Sequence, residues 1–331
     1  MRELADRRAA ARRARDFAAA DELRAQIRDL GWLVTDAPDS FSLVPAVAEA
    51  GSASTSGTEP GPATGTGVVA RARPGSAAGY HVLPDPSVLP AAARPGAPER
   101  VATIGLLVEG WPDDLRECVA ALLEYAPPGV MISGLDVGNV GGAGDLLHEL
   151  TAAHPGRIEA WHVAGGAGWG AARNGLLRAD PAPVHVLMET STILTGDAIS
   201  PLLAAFATPG VVAAGWRGAD PDPDLRSFHD AGPGRVTALL GYLMAVRAEA
   251  AERAGGLPAR ARFYRNADLE FSLRLGRLGA LVVPAGPLPV RQARHRGYHD
   301  SDPAYRDAES RRNYRRVLEL LRTERDAGGR V

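Results

Sequence analysis

The chain has 331 residues, of which 45% are hydrophobic, so it can bury a full core and has room for two or three domains. Its formal net charge of −2 gives no electrostatic reason to expect nucleic-acid binding. Cys118 is the only cysteine, which excludes an intramolecular disulfide and a cysteine-based zinc site. The sequence has no membrane-length apolar run and no signal-peptide pattern, so we expect a cytoplasmic protein without a membrane span.

Residues 1–45 combine a helical pattern with two short apolar runs. Apolar residues recur at helical spacing over residues 2–30, with Asp16 as a candidate cap of a second helix and Gly31 as a stop. The runs at 32–35 (WLVT) and 41–44 (FSLV) predict a β-hairpin. The prediction for this region is a small helical pair followed by a short hairpin.

Residues 46–100 predict a flexible linker. Between Ala50 and Gly67 every residue except Glu59 is Gly, Ala, Ser, Thr or Pro. Such a composition buries too little apolar surface to offset the entropy of ordering. The remainder stays rich in Pro and Ala, and only a short extended stretch around Tyr80–Leu83 is expected.

From residue 101 onward, short apolar runs alternate with amphipathic helical patterns. This alternation predicts βαβ units and a mostly parallel α/β sheet flanked by helices, in a domain that spans residues 101–320 and precedes a tail at 321–331. Ligands of such sheets bind beyond the carboxyl ends of the strands. The acids that follow predicted strands, and so mark a candidate ligand crevice, are Glu109, Asp136 and Glu189.

Residues 264–279 (YRNADLEFSLRLGRLG) predict a loop that turns into an amphipathic helix. Glu270 and Arg274 are four residues apart and are expected to pair along one face. Asp268 is then left at the helix start, where it serves either as an ordinary N-cap or as a general base.

The segment 264–279 resembles the E-D-x-D-L-x-x-R segment of inverting family 2 glycosyltransferases, which have the GT-A fold. Ala267 replaces the first carboxylate, whereas Asp268, Glu270 and Arg274 match the positions that follow. Four upstream segments resemble further family motifs in the family's order. VATIGLLVEGW (101–111) resembles the first strand, and VMISGLDVGN (130–139) resembles the strand that ends in the vvDngS motif. GGAGWGAARNGLLRA (165–179) resembles the N-x-G-x-a-x-A-R-N-x-G helix start, and VHVLMETSTILTGDAISPL (184–202) takes the place of the v-l-f-L-D-x-D segment.

This resemblance implies a GT-A-like domain that transfers a sugar from a nucleotide diphosphate sugar to an unknown acceptor, with inversion. Asp268 takes the place of the catalytic base. The residues implied in nucleotide-sugar binding are Asp136, Arg173, Glu189 and Ser191.

The metal motif departs from the family pattern. The family's D-x-D holds Mn²⁺ or Mg²⁺ against the diphosphate, because hard cations prefer carboxylate oxygens. Here Glu189-Thr190-Ser191 keeps one carboxylate, and His295 resembles the family's late v-x-H ligand. The expectation is therefore a weak Mn²⁺ or Mg²⁺ site at Glu189 and His295. Alternatively, three nearby arginines could neutralise the charge of the diphosphate without a metal ion: Arg291, Arg294 and Arg296.

Two other functions stay open. The loss of carboxylates at Ala267 and Ser191 fits a degenerate, non-catalytic module that binds a nucleotide or acts as a scaffold. Gly166, Gly168 and Ala171 fit the G-x-G-x-x-G/A pattern of Rossmann dinucleotide-binding proteins, with Glu189 as the ribose acid. The glycosyltransferase and Rossmann interpretations both place a phosphate at the start of the helix that carries Arg173.

The N-terminal region resembles the C-terminal end of cysteinyl-tRNA synthetases, which implies contact with tRNA or a synthetase. A generic helical pair used for packing is the alternative. The synthetase's catalytic signatures are absent from the sequence. The residues that carry the resemblance are Arg12, Arg13, Arg15, Asp16, Phe17, Ala20, Asp21, Arg24, Leu30, Gly31 and Asp36.

Overall fold

The computed structural model describes residues 80–93 and 99–326, together with residues 7–8, 23, 32–37 and 40–45. The chain divides into two compact units, Met1–Gly65 and Thr66–Val331. This division falls inside the segment 46–100 that was predicted to be a linker.

In the first unit, β1 (Trp32–Ala37) and β2 (Ser40–Pro45) pair antiparallel, so the predicted hairpin is present. Arg7, Arg8 and Leu23 are helical. The rest of the predicted helical pair lies outside the described residues, and with it nearly all of the positions that resemble a synthetase.

The second unit begins with the predicted alternation of strands and helices. Most of these strands are short apolar runs, as expected of strands buried on both faces of a sheet. The strands are β3 (Ala102–Val108), β4 (Val130–Val137), β5 (Ile158–Val163) and β6 (Val184–Met188), and the intervening helices are α1 (Pro112–Tyr125), α2 (Ala143–Ala153) and α3 (Trp169–Ala179).

The second half of this unit contains shorter strands and a long final helix. In chain order the elements are β7 (Thr192–Leu194), α4 (Ile199–Ala204), β8 (Val211–Gly215), β9 (Gly218–Pro221), β10 (Phe228–Ala231), β11 (Gly234–Val236), β12 (Ala238–Leu239), β13 (Leu243–Arg247), α5 (Ala248–Arg253), α6 (Ala267–Gly276), β14 (Ala280–Val283), β15 (Val290–Gln292), α7 (Arg296–His299) and α8 (Pro303–Asp326).

An eight-stranded sheet organises the second unit, with the strand order β11-β14-β8-β13-β6-β3-β4-β5. Within it, β13 is antiparallel to β6 and β8, and β11 is antiparallel to β14. Neighbouring residues of β3 point to opposite faces: Leu106 packs with α1 and α2, whereas Leu107 packs with α3 and α6. The predicted α/β class, a mostly parallel sheet flanked by helices, is confirmed.

Residues 80–93 belong to the second unit and pack against its β5 and α3. Leu83 pairs with Val163 as an isolated bridge beside β5, where an extended stretch was predicted. The Arg178 side chain of α3 donates to the carbonyls of Pro86 (2.5 Å) and Leu89 (3.3 Å). The segment is thus tied to the domain by backbone groups, which its composition did not indicate.

At the other end of the unit, α8 runs to Asp326, past residue 321 where a tail was predicted. Leu321 is fully buried in this helix. Among the described helices, none has the length and apolar character needed to cross a membrane.

Candidate active site

A cavity opens at the edge of the sheet where β6 ends and β13 begins. Its walls come from three loops and from the first turns of α3 and α6. The lining residues are Trp169, Glu189, Leu240, Gly241, Tyr242, Tyr264, Arg265, Asn266, Asp268 and Leu269. Two of the sequence-predicted site residues, Glu189 and Asp268, therefore share one cavity.

Asp268 lies in the first turn of α6, two residues after Asn266, whose left-handed backbone (φ 67°) precedes the helix. Its carboxylate accepts hydrogen bonds from Gly241 N (2.9 Å) and Leu269 N (3.0 Å). Desolvation raises the pKa of Asp268 to about 6 in spite of these hydrogen bonds, and the charge of Glu189 adds to the increase. This carboxylate is fixed in position and titrates close to neutral pH.

Glu270, two residues further along α6, is not among the residues that line the cavity and contacts α8 instead. Its Oε2 pairs with Arg316 Nε of α8 at 2.7 Å, whereas Arg274 is 4.0 Å from its other oxygen. The predicted Glu270–Arg274 pair is therefore secondary to a contact with α8 that sequence spacing does not indicate.

Glu189 follows β6 and is held by a buried arginine. Arg173 of α3 donates to Glu189 Oε1 (3.0 Å), to Gly105 O (2.7 Å) and to Met188 O (2.9 Å). Arg173 is fully buried. These contacts position Glu189 and link the middle of β3 to the end of β6, and Arg173 Nε has no hydrogen-bond partner among the described residues. The predicted contact of Arg173 with pyrophosphate stays a prediction.

The glycine-rich turn before α3 packs against protein backbone. Trp169 N donates to Arg262 O (3.3 Å) and Gly170 N to Ala261 O (2.8 Å). A Cβ on Gly170 would lie 2.1 Å from Pro258 O, so only glycine permits this approach. The predicted phosphate position at this helix start, shared by the glycosyltransferase and Rossmann interpretations, is therefore filled by the 258–262 loop.

Asp136 is at the same sheet edge as Glu189 but is buried within the fold. The shared edge follows from the strand registers, in which Asp136 is opposite Val108 of β3 and Met188, the residue before Glu189, is opposite Leu106. The Asp136 carboxylate is 1% exposed and contacts Asn139 N (3.0 Å) and His162 Nδ1 (3.3 Å). Through these partners Asp136, near the end of β4, holds the loop that follows this strand and contacts β5, and its predicted contact with the nucleotide stays a prediction.

Ser191 and His295 flank Glu189 differently. The Ser191 hydroxyl accepts a hydrogen bond from Gln292 Nε2 (2.9 Å) and is nearly buried. The His295 ring stacks on Tyr264 with centroids 4.4 Å apart, and its Nε2 is 3.8 Å from Glu189 Oε2. Neither ring nitrogen of His295 has a hydrogen-bond partner among the described residues. His295 thus has two unbonded ring nitrogens beside Glu189, and its predicted role as a metal ligand stays a prediction.

The residues at this position do not fit a strong divalent-metal site. Within the described part of the chain, no group of three or more His, Cys, Asp or Glu side chains could hold a metal ion. Glu189 is already paired with the Arg173 cation, and Ser191 faces Gln292. Hard cations need several oxygen ligands, so Glu189 and His295 alone provide too few.

The three arginines around His295 are engaged in ion pairs. Arg294 pairs with Asp300 (2.6 Å), Arg296 with Asp114 (3.4 Å), and Arg291 with Glu117. Each would have to leave a carboxylate in order to neutralise a diphosphate.

Near Glu189 lie Glu109, which the sequence marked as a candidate, and two tyrosines whose position it did not indicate. Glu109 follows β3 and is exposed, and the charges of Glu189 and Arg173 act on its carboxylate in opposite directions. Desolvation raises the pKa of Tyr242 and of Tyr264. Tyr242 lies in the loop between β12 and β13, where no motif marked it, and Tyr264 is the first residue of the recognised segment 264–279, three residues before α6.

Comparison with known proteins identifies the fold. No protein-family model and no curated protein matches the sequence. Among solved structures, the chain resembles GalNAc-T7 with UDP, GalNAc and Mn²⁺, with a TM-score of 0.55 and 16% identity, over 66% of this chain and 48% of that one. The fold is that of GT-A glycosyltransferases.

The chain is also similar to the mannosyltransferase PcManGT from Pyrobaculum calidifontis in complex with GDP-Man and Mn²⁺. That match has a TM-score of 0.49 and 16% identity, and it covers 76% of this chain and 79% of that one. The chain spans about half the length of GalNAc-T7. The similarity to GalNAc-T7 confirms the GT-A fold that the order of the sequence motifs predicted.

Proposed function

We propose that this chain is an inverting glycosyltransferase that moves a sugar from a nucleotide diphosphate sugar to an acceptor hydroxyl. The observation that carries the proposal is the position of Asp268 in the cavity that Glu189 also lines. The GT-A fold supports the same reaction class.

Asp268 is proposed as the catalytic base. Its carboxylate is oriented by two backbone N–H groups, and desolvation brings its pKa to about 6. A base with such a pKa is deprotonated at neutral pH and is more basic than an ordinary aspartate, as general-base catalysis requires.

In the proposed step the acceptor hydroxyl gives its proton to Asp268. The acceptor oxygen then forms a bond to the anomeric carbon while the bond from that carbon to the diphosphate oxygen breaks. The nucleoside diphosphate leaves with the electron pair, and a single displacement inverts the anomeric centre. His295, with two free ring nitrogens beside Glu189, is the proposed hydrogen-bond donor to the diphosphate.

The test combines donor binding with product analysis. UDP- and GDP-linked sugars are titrated by calorimetry with and without Mn²⁺, and each bound donor is then incubated with a panel of hydroxylated acceptors. We expect at least one donor to bind and its product to show the opposite anomeric configuration by NMR. Retention of configuration, or the absence of binding by any nucleotide diphosphate sugar, would contradict the proposal.

A non-catalytic nucleotide-binding module is the second candidate. It is favoured by Ser191, whose hydroxyl faces Gln292 where the glycosyltransferase family has a metal-binding carboxylate. Donor binding by calorimetry without turnover across the whole acceptor panel would support it.

A further inference from the structure

Two exposed arginines lie at the mouth of the cavity. The first, Arg217, follows β8, and its guanidinium lies 4.4 Å above the Trp216 ring and 5.9 Å from the Tyr242 ring centroid. Trp216 N donates to Leu243 O (3.0 Å), and Leu240 N donates to Arg217 O (2.9 Å). These backbone bonds join the arginine to the 240–243 loop that forms one cavity wall.

Arg265, the second arginine, lines the cavity itself just before α6. It donates to the Tyr298 hydroxyl (2.6 Å), and its guanidinium lies 5.1 Å from the Tyr298 ring centroid. Both Arg217 and Arg265 act electrostatically on the hydroxyl of Tyr242, whose pKa is raised mainly by desolvation but is lowered by each of these charges. Arg217 therefore lies beside Tyr242, a lining residue of the cavity that Arg265 also lines.

Neither guanidinium is paired with a carboxylate among the described residues, in contrast to the ion pairs of Arg291, Arg294 and Arg296. Stacking on an aromatic ring uses the face of a guanidinium and leaves its in-plane N–H groups free to bind an oxyanion. Glu189 and Asp268 lie in the same cavity and would repel an anion, so binding there calls for more than one cation.

The location favours the acceptor over the donor. In the sheet, β8 is separated from β6 by β13, on the side away from β3 and β4. Asp136 and Glu109, which end β4 and follow β3, belong to the opposite half. Arg265 precedes Asp268 by three residues, next to the proposed base that must meet the acceptor hydroxyl.

We propose that Arg217 and Arg265 bind an oxyanion, a phosphate or carboxylate, carried by the acceptor next to the hydroxyl that receives the sugar. This assignment rests on the proposed glycosyltransferase function. It narrows the acceptor to an acidic molecule and adds two specificity-determining residues.

The experiment measures binding by NMR with the donor site first saturated with the nucleoside diphosphate that binds best. Glycerol 3-phosphate is compared with glycerol, and glucuronate with glucose, at constant ionic strength. Phosphatidylcholine vesicles with and without phosphatidate distinguish a lipid-borne phosphate from a soluble one. The proteins are the wild type, Arg217→Gln, Arg265→Gln and the control Arg253→Gln, which changes an exposed arginine of α5 outside the cavity lining.

We expect at least one charged probe to bind better than its neutral match. Binding of that probe should weaken about tenfold or more in Arg217→Gln and Arg265→Gln, since each removes charge-assisted hydrogen bonds, and should be unchanged in Arg253→Gln. Equal binding of charged and neutral probes, or loss of nucleoside diphosphate affinity in the two variants, would overturn the proposal. A wild type that binds the charged probe through these arginines but transfers no sugar would refute the proposed function and leave this site standing. Sugar transfer to neutral acceptors only would refute the oxyanion site and leave the proposed glycosyltransferase function standing.

Discussion

The Arg173 guanidinium lies 3.0 Å from Glu189 Oε1 and is fully buried beneath the cavity. The same group donates to the carbonyls of Gly105, in the middle of β3, and of Met188, at the end of the neighbouring β6. One side chain thereby sets both the position of the cavity carboxylate and the spacing of the strands that carry the site.

Replacing Arg173 with methionine should therefore destabilise the protein strongly. The change leaves two strand carbonyls and the Glu189 carboxylate without their buried partner, and breaking such a pair costs about 3–5 kcal/mol. Denaturant unfolding would measure the loss. The exposed Arg253→Met serves as control and should change the free energy of unfolding by less than about 0.5 kcal/mol. A loss below about 1 kcal/mol in Arg173→Met would show that the arginine does not hold β3 and β6 together.

Asp268→Asn tests the proposed base. The amide keeps the shape of the side chain but cannot take a proton, so the rate of sugar transfer should fall by about 10²–10⁴-fold. It can still accept a hydrogen bond from Gly241 or Leu269, and the free energy of unfolding at pH 7 should stay within about 1.5 kcal/mol of the wild type. Transfer assays and denaturant unfolding on the same preparations separate the two effects. Wild-type transfer rates in the variant would reject the assignment.

The raised pKa of Asp268 also predicts a pH dependence of stability. The folded protein holds this proton up to about pH 6, whereas the unfolded chain releases it near 3.8. Between these values the native state binds more protons, so the contribution of Asp268 to stability is present below the unfolded pKa and is lost as the pH rises to about 6.

Denaturant unfolding of wild type and Asp268→Asn at pH 4, 5, 6 and 7 would measure this dependence. The free energy of unfolding of the wild type should fall relative to that of the variant across this series. The other carboxylates, Glu109 and Glu189 among them, are present in both proteins, so their own titration cancels in the difference. A constant difference would mean that burial does not perturb Asp268.

Sequence patterns predicted the fold better than the site, for physical reasons visible at particular residues. Strands such as β3 are buried on both faces and so appear as uninterrupted apolar runs, which local sequence reveals. Arg173 could not be recognised as a buried positioning residue, because its partner carbonyl at Gly105 is 68 residues away and arginine is usually exposed. Tyr242 lies in a loop without a motif, so only the fold brings it to the cavity.

The glycine-rich turn shows a different ambiguity. Glycines before a helix permit either a phosphate or another backbone to approach closely, and the two uses have the same sequence pattern. The 258–262 loop, about 90 residues downstream, decides between them in this fold. Asp268 was recognised because its helix keeps the family spacing to Glu270 and Arg274.

Gly170→Ala tests the packing role of that turn. The new Cβ would meet Pro258 O at 2.1 Å, and overpacking of this kind costs about 1–3 kcal/mol. Gly286→Ala is the matched control, because no atom lies within 4 Å of its added Cβ, and its stability should be unchanged. Thermal unfolding of both variants measures the difference. An unperturbed melting temperature in Gly170→Ala would mean that the 258–262 loop gives way and does not pack tightly on α3.

Two N-terminal truncations locate the start of the structured domain. A chain that begins at residue 61 should keep the stability and donor binding of the full chain, because the segment around residues 50–67 has a composition that does not pack. A chain that begins at residue 94 should be destabilised by several kcal/mol. It lacks the carbonyls of Pro86 and Leu89 that the Arg178 side chain binds, and it removes Leu89 from the core. Denaturant unfolding of the two truncated chains beside the full chain would show this contrast. Equal stability of both would mean that the 80–93 segment contributes nothing to the domain, and a large loss in the longer one would mean that the first unit docks on the second.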